Sequence, residues 1–332
     1  MVADEIRERA LGQVNQVGHR EVWFDTATPG PAVLDLRTAD DVLLIAAVVD
    51  GIGTTRADLR HLTRAARTLP LRGLLALRSR CGGPAEFDGV DVSASFLGRR
   101  AYTRYDIEDA VGEALSQVIG TPYRSRRGGQ APPPDSLPWR VTIAGERAVV
   151  SLRVGARPLH RRSYRTASRP GSLHPPLANA LVRLAAPAPG ARLLDPCCGT
   201  GTIPIEAALD RGLKCVGADH APAAITAART NDVTAHVTWL LADAARLPID
   251  TESIDAVVGN PPWHRQVTPS GQLARDPARF WTELTRVLRP GGRAVLLQPD
   301  KDLIAPAGLL PVSCWPISLN GRHPVIVLAR RP

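Results

Sequence analysis

The chain has 332 residues, of which 44% are hydrophobic and 22% charged, values that exclude a disordered polyelectrolyte and leave room for two or three folded domains. Its formal net charge of +9 favours a polyanion such as RNA or DNA over an acidic small molecule. The charge is almost all arginine, with Lys214 and Lys301 the only lysines; arginine suits bidentate phosphate contacts, and a GC-rich coding sequence also enriches it.

The opening MVADEIRERALGQV is charged and amphipathic, without the apolar centre of a secretory leader. The longest apolar run, 42–49, is too short to span a bilayer. Five cysteines (81, 197, 198, 215 and 314) show no C-x-x-C spacing. These features predict a cytoplasmic protein with no membrane partner.

Residues 1–70 read as a small α+β region: helix over 5–14, strand over 21–24, buried strand over 42–49 and helix over 55–69. Residues 71–158 have another rhythm. Alternation over 90–97 predicts a strand, and helical spacing over 107–119 predicts a helix capped by Asp106. Residues 124–138, rich in Arg, Gly and Pro, predict a loop or disordered excursion. Two strands, 139–143 and 148–154, follow with a tight turn at Ala144-Gly145-Glu146. A basic linker, 159–175, leads into residues 176–332.

There, strands at 192–194, 214–218, 238–241, 256–259 and 293–298 alternate with helices such as 203–211, 221–231 and 277–288. That order predicts a doubly wound, Rossmann-like α/β domain with helices on both sheet faces. Two last strands, 309–313 and 325–329, flank Asn320-Gly321 and are expected to close as a hairpin.

The strongest local signal is Asp195-Pro196-Cys197-Cys198-Gly199-Thr200-Gly201-Thr202, at a strand-to-helix junction on the carboxyl edge of the sheet. A G-x-G also suits NAD, but Pro204 stands where the dinucleotide fingerprint wants its third glycine. Asp219 ends the next strand, placed for ribose hydroxyls; Asp243 follows the third, placed for an adenine amine. Cys197-Cys198 is read as small buried packing and not as metal ligands.

Asn260-Pro261-Pro262-Trp263 ends the fourth strand. An exocyclic base nitrogen is a poor nucleophile because its lone pair is delocalised into the ring. The Asn260 amide oxygen and the Pro261 carbonyl are placed to accept its N–H bonds and turn the lone pair toward a sulfonium methyl. The two prolines fix that backbone in advance, and Trp263 offers a face for an unstacked base.

At these residues the chain resembles the THUMP-domain RNA guanine-N2 methyltransferases. The 195–202 loop resembles their D-P-x-C-G-S-G-T, and 260–263 their N-P-P-Y. The segments 92–105, 158–165 and 36–42 are similar to their THUMP segment, linker and N-terminal ferredoxin-like part. Trp263 stands for the usual tyrosine, Thr200 for serine, Cys197 for a bulkier residue and Ser163 for glycine. The opening helix stands where a first strand is expected, so either the start is misassigned or the N-terminal part is trimmed.

The resemblance implies a cofactor, S-adenosylmethionine, held by Asp195, Gly199, Thr200, Gly201, Thr202, Asp219, Asp243 and Asn260, with no metal. It implies catalysis by Asn260, Pro261, Pro262 and Trp263 on guanine N2 of tRNA. The acceptor end would be gripped through Arg99, Arg100, Arg104, Arg161, Arg162 and Arg165. The competing expectations are a ribosomal RNA guanine-N2 enzyme, a DNA adenine-N6 enzyme, and an RNA-binding protein without activity.

Overall fold

Short apolar runs separated by amphipathic helices form the larger of three sheets in a computed structural model, which describes residues 1–18, 20–262, 274–299, 308–319 and 321–332. The chain divides into two compact units, 2–159 and 160–332. No described helix is long and apolar enough to cross a membrane.

In the first unit, α1 (Val2–Glu8) leads to an antiparallel pair, β1 (Gln13–Val17) and β2 (Val22–Asp25). Then come β3 (Leu43–Val49), α2 (Leu59–Arg67), α3 (Leu71–Arg80), β4 (Val90–Phe96), α4 (Arg104–Ile119), β5 (Leu137–Ala144) and β6 (Arg147–Arg153). The sheet order is β3-β6-β5-β4, with β4 and β5 parallel across the α4 crossover. Strands and helices from both sides of residue 70 share one core, in which Leu62, Val92, Val111, Trp139 and Val150 are buried together. The expected boundary at 70 therefore falls between α2 and α3, inside this layer.

Helix α4 starts earlier than its apolar spacing predicts. Thr103 is the N-cap and Asp106 the third helical residue, and each side chain bonds the other's backbone N–H in a capping box. The following arginine-rich loop is pinned by ion pairs: Arg124 to Asp88, Arg126 to Asp91, and Arg127 to Asp106 and Asp109.

The second unit holds α5 (Pro175–Ala185), β7 (Arg192–Asp195), α6 (Thr202–Arg211), β8 (Lys214–Asp219), α7 (Pro222–Asn231), β9 (Val237–Leu241) and β10 (Ile254–Gly259). It ends with α8 (Pro277–Val287), β11 (Leu288–Gln298), β12 (Leu310–Pro316) and β13 (Val325–Arg330). The sheet order is β12-β13-β11-β10-β7-β8-β9, parallel from β11 to β9 and antiparallel at β13. The chain reverses direction of winding between β7 and β10, which opens a crevice at their carboxyl ends. Alternate strand residues fill opposite cores. Leu193, Val258 and Leu297 pack with α5 and α6, whereas Leu194, Val257 and Leu296 pack with α8. The two final strands pair antiparallel, as their spacing predicts.

Candidate active site

The crevice is a cavity of about 780 Å³, within the size range of small-molecule sites. Its floor is the turn from β7 into α6. Gly201 holds φ at +81°, and a Cβ there would stand 2.5 Å from the Trp239 ring, so only glycine closes this turn. Trp239 is fixed in turn by its indole N–H, which donates to Asp232 at 2.9 Å. Gly199 also has positive φ (+53°), with nothing within 4 Å of where its Cβ would be. Gly199 is itself one of the residues that line the cavity.

Three carboxylates end successive strands or the turns after them. Asp195 is buried, and its Oδ1 accepts the Cys197 N–H at 3.1 Å. Burial, followed by the charge of Asp219, pushes its carboxyl up to about 8 against the relief from that N–H. Asp219 accepts the Gly199 N–H at 2.9 Å through Oδ2 and the Ala221 N–H at 2.9 Å through Oδ1. Asp243 accepts the Ala245 N–H at 2.9 Å. Burial first, and then the neighbouring Asp195 and Asp219, push the thiols of Cys197 and Cys198 well above their ordinary value, so both are neutral packing groups.

This donor set fits S-adenosylmethionine better than a dinucleotide. Carboxylates around a glycine turn repel a pyrophosphate, but they suit ribose hydroxyls and a ligand carrying a sulfonium and an ammonium group. Thr200 and Thr202 are buried, with the Thr200 hydroxyl 3.2 Å from that of Ser172.

Asn260 follows β10 directly and lines the cavity with Pro261 and Pro262. Its amide nitrogen lies 3.5 Å from the Gly171 carbonyl, to which it donates, and this leaves the amide oxygen as an acceptor. Trp263 lies outside the described residues.

The segment before α5 forms a wall of this cavity, and sequence reasoning missed what holds it. Asn231, buried on α7, accepts the N–H groups of Thr166 and Ala167 at 3.0 and 2.8 Å. It also donates to the carbonyls of Ala167 and Thr200 at 2.9 and 3.1 Å, joining the wall to the glycine turn. Glu206, fully buried on α6, receives Arg162 and Tyr164. A lone Asn or Glu inside a helical pattern carries no sequence signal of such a task.

The six arginines expected on phosphates separate. Arg99, Arg104 and Arg161 are exposed, and Arg165 lines the cavity with Arg169. The other two depart from that expectation. Arg162 keeps only 8% of its side chain exposed because it is bonded to Glu206. Arg100 is committed to the carbonyls of Ile52, Gly53 and Gly145 and to the Tyr102 hydroxyl, tying loops of its own unit. Gln298, at the end of β11, also lines the cavity and was not singled out by sequence.

Residues 162–307 match the RMKL-like methyltransferase domain family. The chain is 34% identical over 305 residues to the tRNA (guanine(6)-N2)-methyltransferase of Thermus thermophilus, a match covering 90% of this chain and 85% of that one. It is 30% identical over 216 residues to the tRNA (guanine(6)-N(2))-methyltransferase THUMP3 of Bos taurus, spanning 58% of this chain and 42% of that protein. The crystal structure of TrmN from Thermus thermophilus has a TM-score of 0.78 at 29% identity, covering 100% of this chain and 97% of that one.

Proposed function

The chain belongs to the tRNA guanine-N2 methyltransferase family, and from that membership we infer that it transfers a methyl group from S-adenosylmethionine to the exocyclic N2 of a guanosine in tRNA. The observation that carries the reading is the pairing of a carboxylate-lined glycine turn with Asn260-Pro261-Pro262 in one cavity.

S-adenosylmethionine supplies an electrophilic methyl group when bound. Gly199 and Gly201 would let the backbone approach it closely, the carboxylates of Asp219 and Asp243 would meet its hydroxyls, its amines and its positive charge, and the buried Asp195, protonated at neutral pH, would hold the turn through Cys197. Asn260 offers its amide oxygen to one N–H of the guanine amine, and Pro261 its carbonyl to the other. Positive charge develops on that nitrogen during transfer, and both acceptor dipoles stabilise it without having to reorganise. The amine then sheds a proton to water, since no strong base is required. Holding the nitrogen in line supplies most of the remaining acceleration. Trp263 provides the stacking face for the extruded base.

RNA recognition falls, on this reading, to residues 2–159 as a THUMP-type unit with a ferredoxin-like N-terminal part. It grips the acceptor end through Arg99 and Arg104 on phosphates; outside that unit, Arg161 takes a further phosphate and Arg165 meets the target nucleotide. The THUMP name of the bovine relative and the exposure of the first three arginines support this division. The five free cysteines are consistent with work in the reducing cytoplasm.

Labelled S-adenosylmethionine offered with tRNA, ribosomal RNA and duplex DNA side by side tests the substrate class. Label in tRNA supports the reading, label in ribosomal RNA alone moves it there, and label in DNA alone replaces it with adenine methylation.

A further inference from the structure

Gln298 is 1% exposed, yet neither its amide oxygen nor its amide nitrogen has a hydrogen-bond partner among the described residues. Leaving both ends of a buried carboxamide unpaired is unfavourable, and folded chains rarely tolerate it without a ligand or water to satisfy the group. This one lines the active-site cavity.

Its place in the sheet says which ligand it serves. Gln298 ends β11, the strand next to β10, while Asp219 ends β8, three strands away in the order β11-β10-β7-β8. At roughly 4.8 Å per strand that is about 14 Å from the ribose side, beyond the reach of a glutamine. In parallel register Gly259 is level with Leu296, so Gln298 stands level with Pro261, beside the acceptors of the reacting amine.

We propose that Gln298 reads the Watson–Crick edge of the target base and selects guanine, an inference that rests on the methyl-transfer reading above. With the guanine amine at Asn260, the next two groups along that edge are N1–H, a donor, and O6, an acceptor. The carboxamide oxygen takes the first and the carboxamide N–H gives to the second, a planar two-bond match. Adenine held by its amine presents a bare N1 and then a C–H, so the glutamine oxygen stays unpaired. Cytosine held likewise presents two acceptors, and one opposes that oxygen. A site built on such bonds rejects analogues lacking them strongly.

The test replaces the methylated guanosine of a tRNA transcript, once mapped, with 2-aminopurine, which keeps the target amine but lacks N1–H and O6. Wild-type protein is expected to prefer guanosine by about 100-fold or more in kcat/KM. In Gln298→Met the preference shrinks to within about 5-fold, mainly by loss on guanosine, because the apolar chain cannot discriminate. S-adenosylmethionine affinity stays within about twofold and the melting temperature of the free protein holds or rises, since an unpaired buried amide has gone. Gln298→Glu keeps the N1–H acceptor, opposes O6, and falls between the two.

Equal use of guanosine and 2-aminopurine by wild type overturns the proposal without needing a variant. So does a preserved preference in Gln298→Met, or loss of cofactor affinity in step with a lower melting temperature. If wild type methylates no guanosine N2 at all, the functional reading fails and this inference falls with it. Methylation without discrimination sinks only Gln298.

Discussion

Arg162 donates from Nε to Glu206 Oε1 at 2.9 Å, and the Tyr164 hydroxyl donates to that same oxygen at 2.9 Å, in a pocket where Glu206 has no exposure. The bonds fasten the cavity wall to α6, the helix that starts at the glycine turn. Removing Arg162 takes the bonded guanidinium from a buried carboxylate that keeps the Tyr164 hydroxyl. Arg162→Ala is therefore expected to cost about 3–5 kcal/mol, seen as a lower denaturation midpoint. Its exposed neighbour, in Arg161→Ala, should change stability by about 0.5 kcal/mol or less. Equal midpoints for the two variants would contradict the assignment.

The exposed arginines should show the opposite signature. Arg99→Ala, Arg104→Ala and Arg161→Ala are each expected to melt like wild type but to bind tRNA more weakly. With one fewer phosphate neutralised, each variant should show a slope of log affinity against log salt that is shallower by about 0.7–0.9. Salt titration of RNA binding measures this, and unchanged slopes would remove these residues from the RNA surface.

Strand-ending Asp195, Asp219 and Asn260 were legible because chemistry and position coincide at the carboxyl edge of a doubly wound sheet. Among arginines, sequence alone cannot separate a solvated guanidinium from one bonded inside the fold, as Arg100 and Arg162 are, because the deciding partners lie 44–48 residues away. Helix α3 was missed for a similar reason. Its mixed Leu-Arg pattern buries only Leu74 and Arg78, so its apolar periodicity is faint. Asp106 shows a finer limit: a capping box contains two plausible caps, and the hydrogen-bond pattern selects Thr103.

Asp195 makes stability depend on pH. Its folded value, about 8, lies above the ordinary 3.8 because burial and Asp219 disfavour the charge. The native state therefore holds the proton more tightly than the unfolded chain. The resulting stabilisation is complete below about pH 4 and is lost as pH rises through about 8. Asp195→Asn, which retains an acceptor for Cys197, should flatten this alkaline loss in melting temperature between pH 6 and pH 9. A parallel decline in both proteins would contradict it.

Cofactor holding and catalysis should separate by residue. Asp219→Ala is expected to weaken S-adenosylmethionine binding about 10- to 100-fold in calorimetry, since hydrogen bonds to a charged acceptor are lost. Asn260→Ala should leave that affinity nearly intact while lowering turnover about 100-fold or more, as for removal of a transition-state dipole. Equal loss of binding in both variants would point to folding roles.

The most direct test of methyl transfer to guanine N2 is nucleoside mass spectrometry of unmodified tRNA transcripts after incubation with the protein and S-adenosylmethionine. The expected product is N2-methylguanosine, formed by wild type and absent with Asn260→Ala. A methyl group on adenine N6, or no methylated nucleoside from a protein that demonstrably binds the cofactor, would contradict it.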